Sequence, residues 1–251
     1  MSSLTQMLAV LEVFSTRRPL WRSEDIAEEL GYKRTTAYRY MRELVATGLL
    51  QKVSVGYYSL GWRVVEMDYI MRQSDPVLAA CAPIMDDLVI KSGLDCILSA
   101  MVGDKVVDTH RASSRTGLTL KYGRGRPRSL FLGSSAKILL ANKPRTHLMK
   151  IYMSHKAEIA ASGLGTTWPA FRSYLSGIRD EGFYFAMEEL EKNVAGGAVP
   201  ISAAADGPVA AALALVGPVS KVKAAGERAI RNWLTRAGAK ATEHLKLIRA
   251  T

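Results

Sequence analysis

The chain has 251 residues, 48% hydrophobic and 23% charged, which suits one large domain or two ordinary ones and excludes a disordered chain. Its richest apolar run, Ala203 to Val219, is interrupted by Asp206, Gly207 and Pro208, so no membrane span is expected. The net charge of +11 favours a polyanionic partner, yet residues 1–61 hold eight Lys/Arg against six acids, a net of only +2. Local placement therefore has to carry that reading.

Leu4, Met7, Leu8, Leu11 and Phe14 recur at helical spacing and predict a first helix over 4–16, ended by Arg18-Pro19. Ser23 as N-cap, Glu24 and Asp25 in the first turn, and Ile26, Ala27 and Leu30 on one face predict a second helix, closed by Gly31. Thr35 or Thr36 can cap a third, with Ala37, Met41, Leu44 and Val45 as its buried face and Gly48 as its stop. Leu49 to Val53 and Tyr57 to Leu60 then flank Ser54-Val55-Gly56 as a β-hairpin. Trp62 to Gln73 resumes helical periodicity, and Asp75-Pro76 breaks the chain.

Beyond that break, helices are predicted at Val77 to Ser92, Ser134 to Ala141, Thr146 to Ala161, Pro169 to Glu181 with Thr167 as cap, and Ser220 to Arg249. Strands are predicted at Asp95 to Val102, Lys105 to Arg111, Leu118 to Tyr122, Phe183 to Met187, Ala195 to Ser202 and Pro208 to Gly217. The expected organisation is α+β: a winged helix-turn-helix at 1–61, a linker helix at 62–75 and an α/β domain at 76–251.

Two short helices, a tight turn and a hairpin form a device for placing one helix in the DNA major groove. The third helix offers Thr35, Thr36 and Tyr38 to bases or phosphates, with Arg39 and Arg42 three apart on one face. Lys33 and Arg34 precede it, where backbone N–H groups favour a phosphate, and Tyr57 and Lys52 sit on the hairpin. A basic helix can also be a merely solvated face. Cap, turn, apolar face and hairpin all agree here, which favours the reading helix.

Enzyme chemistry finds little footing. His110, His147, His155 and His244 are scattered without metal-ligand spacing, there is no GxSxG and no GKS/T, and GRGRP at 123–127 lacks the context of a dinucleotide loop. Cys81 and Cys96 form no disulfide framework and read as small core residues. No metal and no cofactor is expected, and the location expected is cytoplasmic.

From residue 4 nearly to the end, the chain resembles the IclR-type bacterial transcriptional regulators. The resemblance rests on LAVLEVFS, SEDIAEELGYKRTTAYRYMREL, TGLLQK and GYYSLGWRVVEM in the first domain. In the second it rests on GRPRSLFLGSSAKILLA, GIRDEGFYFAMEELEKNVAGGAVPI and AALALVGPVSKV. It implies a GAF-like C-terminal domain that binds a small organic or aromatic acid, and homodimers or homotetramers on a pseudo-palindromic double-stranded DNA operator. The function expected is ligand-responsive, sequence-specific regulation of a catabolic operon. The alternative is a small-molecule-processing enzyme with a basic accessory domain.

For the effector, the stretch Ser129 to Lys137 is the best candidate: a loop with Ser129 and Leu130 enters a helix at Gly133, Ser134 and Ser135, a natural carboxylate cradle. Arg124, Arg126 and Arg128 lie just upstream. The resemblance adds Glu189, Ala198, Pro200, Ala214 and Val216 as lining positions. The chain departs from the family pattern at Ser129, where Pro is common, at Phe131, where His is common, and at Ala136, where Gly is common. Ala214 and Val216 stand where some members carry hydroxyls, which points to a more apolar pocket and an aromatic or hydrophobic acid.

Overall fold

The structure, a computed structural model, describes residues 2–114, 124–203 and 207–250. The chain divides into two compact units, Met1–Ser74 and Asp75–Thr251.

The first unit runs α1 (Ser3–Glu12), β1 (Trp21–Arg22), α2 (Ser23–Leu30), α3 (Arg34–Ala46), β2 (Leu50–Ser54), β3 (Tyr57–Leu60) and α4 (Arg63–Ser74). Its core gathers Val10, Trp21, Ile26, Tyr40, Met41, Leu44 and Leu50. The Tyr32 and Tyr40 hydroxyls donate to the Gln6 carbonyl and side-chain oxygens, both at 3.1 Å, and tie α1 to the helix pair.

Three local expectations need correcting. α1 ends at Glu12, because Ser15 and Arg18 bond to each other in a turn, and it buries Val10 while Leu4 and Leu8 stay exposed. Trp21 and Arg22 pair with Tyr58 and Tyr57, so Arg22 stands at the N-cap of α2 and Ser23 is already helical. α3 starts at Arg34 after Lys33, with no side-chain cap bond, so neither Thr35 nor Thr36 caps it. Its buried set is Ala37, Tyr40, Met41 and Leu44, with Val45 half-buried.

The second unit runs α5 (Pro76–Ser92), β4 (Asp95–Val102), β5 (Lys105–Ala112), β6 (Pro127–Arg128), α6 (Ser134–Ala141), α7 (Arg145–Ser154), α8 (Lys156–Ala161) and α9 (Trp168–Glu181), then β7 (Tyr184–Met187), β8 (Val194–Ser202), β9 (Val209–Pro218), α10 (Val219–Ala225) and α11 (Glu227–Ala250). The helix expected over 146–161 is split at His155, and the last one at Gly226. The strand expected at 118–122 lies outside the described residues.

Among the described residues, six strands form one antiparallel sheet in the order β6-β5-β4-β9-β8-β7. Strand alternation sends Ala211, Leu213 and Leu215 of β9 into a core with α5 and α11, and Ala212 and Ala214 into a second core with α6 and α9. The small residues on that second face leave room for α6, all eight residues of which are buried. That burial includes Lys137, whose charge then needs a partner.

Candidate functional site

Two surfaces carry the expected chemistry. On α3, Lys33, Arg34, Thr35, Tyr38, Arg39 and Arg42 are exposed and Thr36 is half-buried, while the opposite face supplies the core. The missing cap leaves both threonine hydroxyls free of that role. Arg42 Nη2 lies 3.1 Å from Glu43 Oε1, an exposed pair that constrains it little. The Arg39 guanidinium sits 5.3 Å from the Tyr40 ring. Tyr57 on β3 is half-buried, with the Arg22 guanidinium 4.6 Å over its ring. Arg22 escaped the sequence reading because only the β1–β3 pairing brings it to the hairpin. The arrangement presents hydroxyls and guanidinium groups on one convex helix, suited to phosphate oxygens and base edges.

The second site is a cavity of about 50 Å³ over the end of the sheet at the Gly196–Val216 rung. Of the residues expected there, Gly133, Ser134, Ser135, Glu189 and Val216 line it. The others lie elsewhere. Ser129 is half-buried and accepts from the Phe131 N–H at 3.2 Å, and Leu130 packs in the core beneath α6. Ala198 and Ala214, paired across β8 and β9, are buried under α6, which fills the space above them. Pro200 lines an open groove with Gly238 and Thr242 of α11. The cavity is displaced along the strands from those rungs because a fully buried helix already occupies them.

Four further lining residues matter: Asp108, Arg128, Leu190 and Gly196. Gly196 is glycine for space, since a Cβ there meets the backbone of Leu215 and Val216. Arg128 Nη2 donates to Asp108 Oδ1 at 2.5 Å and to Ser99 Oγ at 2.8 Å, and both charged side chains are buried, 7% and 3% exposed. Arg128 Nε is buried without a partner. Burial pushes the Asp108 carboxyl above the ordinary carboxylate value, against the pull of Arg128 and the Ser99 hydroxyl. Arg124 and Arg126 do not line the cavity. The sequence signal for this pair was slight, since Asp108 stands in KVVDTHRA beside Thr109, His110 and Arg111.

Behind Glu189, which lines the other wall, Lys137 Nζ lies 2.8 Å from Glu189 Oε2 and donates to the Tyr184 hydroxyl at 2.8 Å; neither Lys137 nor Tyr184 lines the cavity itself. The Gly133 N–H donates to Glu189 Oε2 at 3.0 Å, and the Tyr184 hydroxyl to Glu189 Oε1 at 2.8 Å. Burial, then its bonds to Tyr174 and Glu189, push the Tyr184 pKa up, so that hydroxyl stays a donor. Together these groups can recognise a carboxylate at one end of the cavity and a second acceptor at the other. Among the described residues no cluster of His, Cys, Asp and Glu is arranged to hold a metal ion, and no helix is long and apolar enough to cross a membrane.

Comparison with known proteins gives a consistent picture. Residues 70–242 match the family described as Bacterial transcriptional regulator IclR C-terminal, and residues 3–54 match the IclR helix-turn-helix domain. The HTH-type transcriptional regulator KdgR of Escherichia coli (strain K12) is 22% identical over 201 residues, 80% of this chain and 76% of that protein. KipR of Bacillus subtilis (strain 168), also an HTH-type transcriptional regulator, is 21% identical over 199 residues, 79% of each. Among solved structures, an IclR regulator from Silicibacter sp. TM1040 aligns with a TM-score of 0.81 at 23% identity, covering 98% of this chain and 96% of that one. An IclR homologue from Microbacterium hydrocarbonoxydans, complexed with 4-hydroxybenzoate, aligns with a TM-score of 0.76 at 24% identity over 100% of both chains.

Proposed function

The chain belongs to the IclR family of bacterial transcriptional regulators, with a DNA-binding helix-turn-helix and an effector domain, and from that premise we propose that it reads a pseudo-palindromic operator through α3 and answers to a small organic acid. Lys33, Arg34, Thr35, Thr36, Tyr38, Arg39 and Arg42 meet base edges and phosphates, and Tyr57 meets the backbone from the wing. The observation that carries this reading is the single exposed face of α3, on which these groups stand clear of the core.

The effector is an aromatic or hydrophobic carboxylic acid held between the Gly133 end of α6 and Arg128, and the genes controlled serve its catabolism. The 4-hydroxybenzoate bound by the Microbacterium homologue supports that class, as do the carboxylate-binding groups around the cavity. The protein acts in the cytoplasm as a homodimer or homotetramer, which places two reading helices on successive turns of the duplex. Effector and operator alter each other's affinity by the same factor.

Selection from random duplex DNA with the full chain should enrich an inverted repeat. Arg39→Ala should then weaken binding to that repeat about fivefold or more, the ~1–3 kcal/mol of one specific contact, with circular dichroism unchanged. Equal affinity of variant and wild type in a gel-shift titration rejects α3 as the reading helix.

A further inference from the structure

We infer that the Gly133, Lys137 and Tyr184 groups form a carboxylate seat, and that Glu189 is a built-in occupant which an acid effector must displace. The inference rests on the reading of the cavity as an acid site and specifies how the acid enters. The seat consists only of donors: the Gly133 N–H and Lys137 Nζ on Oε2, at 3.0 and 2.8 Å, and the Tyr184 hydroxyl on Oε1 at 2.8 Å. They recognise a carboxylate group and nothing particular to glutamate.

Seat and occupant differ in how firmly they are held. Lys137 stands on a fully buried helix and is 4% exposed, whereas Glu189 is 21% exposed on the connection between β7 and β8. That connection closes on itself through the Asn193 N–H bonding to Glu188 Oε1 at 2.7 Å. Both residues sit at positive φ, 55° and 61°, where side chains are strained. The occupant is therefore the movable partner.

Volume and charge point the same way. About 50 Å³ is far below the roughly 300–1,000 Å³ that encloses a small organic ligand. Leu190 and Glu191 line the cavity from the same connection as Glu189, so withdrawing it opens the space. Across that space waits Arg128 Nε, buried and unpartnered, an anchor for the ligand's second polar group. Withdrawal alone leaves the buried Lys137 charge uncompensated, which is unfavourable. A ligand carboxylate replaces Glu189 one for one and keeps the balance, whereas an amide of the same shape does not. Binding is thus an exchange of carboxylates, and the connection's displacement is the structural signal. The resident carboxylate lowers the ligand's apparent affinity by the fraction of time the seat is free.

The test uses thermal unfolding of the full chain, wild type and Glu189→Ala, with acetate, the carboxylate that the substitution excises, and acetamide as its neutral isostere. Expected are a lower melting temperature for E189A, saturable rescue by acetate but not acetamide, and loss of rescue in E189A/K137M. Wild type should need at least tenfold more acetate for any shift. Glu189→Gln, whose amide fills the seat but leaves the Lys137 charge unbalanced, serves if E189A does not fold; acetate should then act at a concentration between those needed by E189A and by wild type. Equal response of variant and wild type to acetate, or no response of the variant, overturns the inference. Calorimetry with 4-hydroxybenzoate separates the two readings. Wild-type binding with no gain in E189A keeps the acid effector and rejects the seat, while acetate rescue without 4-hydroxybenzoate binding keeps the seat and rejects the aromatic acid. No carboxylate bound by either protein rejects both.

Discussion

Lys137 and Arg128 are buried cations, each held by a carboxylate on a different element, and Cys81 and Cys96 are buried free thiols. Burial, reinforced by the charge of Asp75, pushes the Cys81 thiol from 9.0 up to about 12, and burial raises Cys96 well above its ordinary value. Only the thiolate is reactive, so neither cysteine is suited to redox sensing. Native protein at pH 8 should resist a thiol reagent and release two equivalents only on denaturation, followed by absorbance; rapid native labelling would contradict the burial. The sign on stability follows. Folded Cys81 keeps its proton where the unfolded chain has lost it, so its contribution is complete below about 9.0 and is lost as pH rises toward 12.

At the scale of elements, caps and strand ends decide where helices begin. Asp75 closes α5 by accepting the Val77 N–H at 2.9 Å, and Pro76 follows at the first helical position. Asp75→Ala should cost about 1 kcal/mol, read as a lower urea midpoint at unchanged slope. α6 at Ser134–Ala141 and the β4–β5 hairpin were legible in the sequence because their signals are local, whereas Asp75-Pro76 reads there as a chain break and not as the cap of α5. Ser23 misled for a non-local reason: the pairing of Trp21 and Arg22 with β3 fixes where α2 starts, and nothing in SEDIAEEL reports it. The cavity was half legible. The helix entrance at Gly133 announces itself, but the register of β8 on β9 decides that Gly196 and Val216 line the space while Ala198 and Ala214 do not. Lys137 among the apolar residues of AKILLA was a usable signal of a buried partner.

At the scale of the molecule, α4 has no buried residue and exposes Val65, Met67, Tyr69, Ile70 and Met71, with Trp62 just before it 72% exposed. Apolar side chains on all sides of a helix call for cover. The proposed homodimer supplies it with a second copy of the chain. Replacing Tyr69 and Ile70 by Glu should lower the mass seen in analytical ultracentrifugation toward that of one chain. It should also weaken operator binding by more than tenfold, since two half-sites would no longer be engaged together. An unchanged mass would place the subunit contact elsewhere.

The glycines around the cavity have a consequence for how such a regulator acquires a new effector. Gly196 abuts the neighbouring strand, and Gly133 holds a φ of +86°, so neither wall tolerates a side chain. Drift in ligand range is thereby channelled to Ile97, Val216 and Leu190, which border the same space with side chains that can change size. The invariant part of the pocket would read the acid group, and the variable part the hydrocarbon. A lineage with the proposed acid site can then exchange one ligand for another without rebuilding the helix that detects the charge.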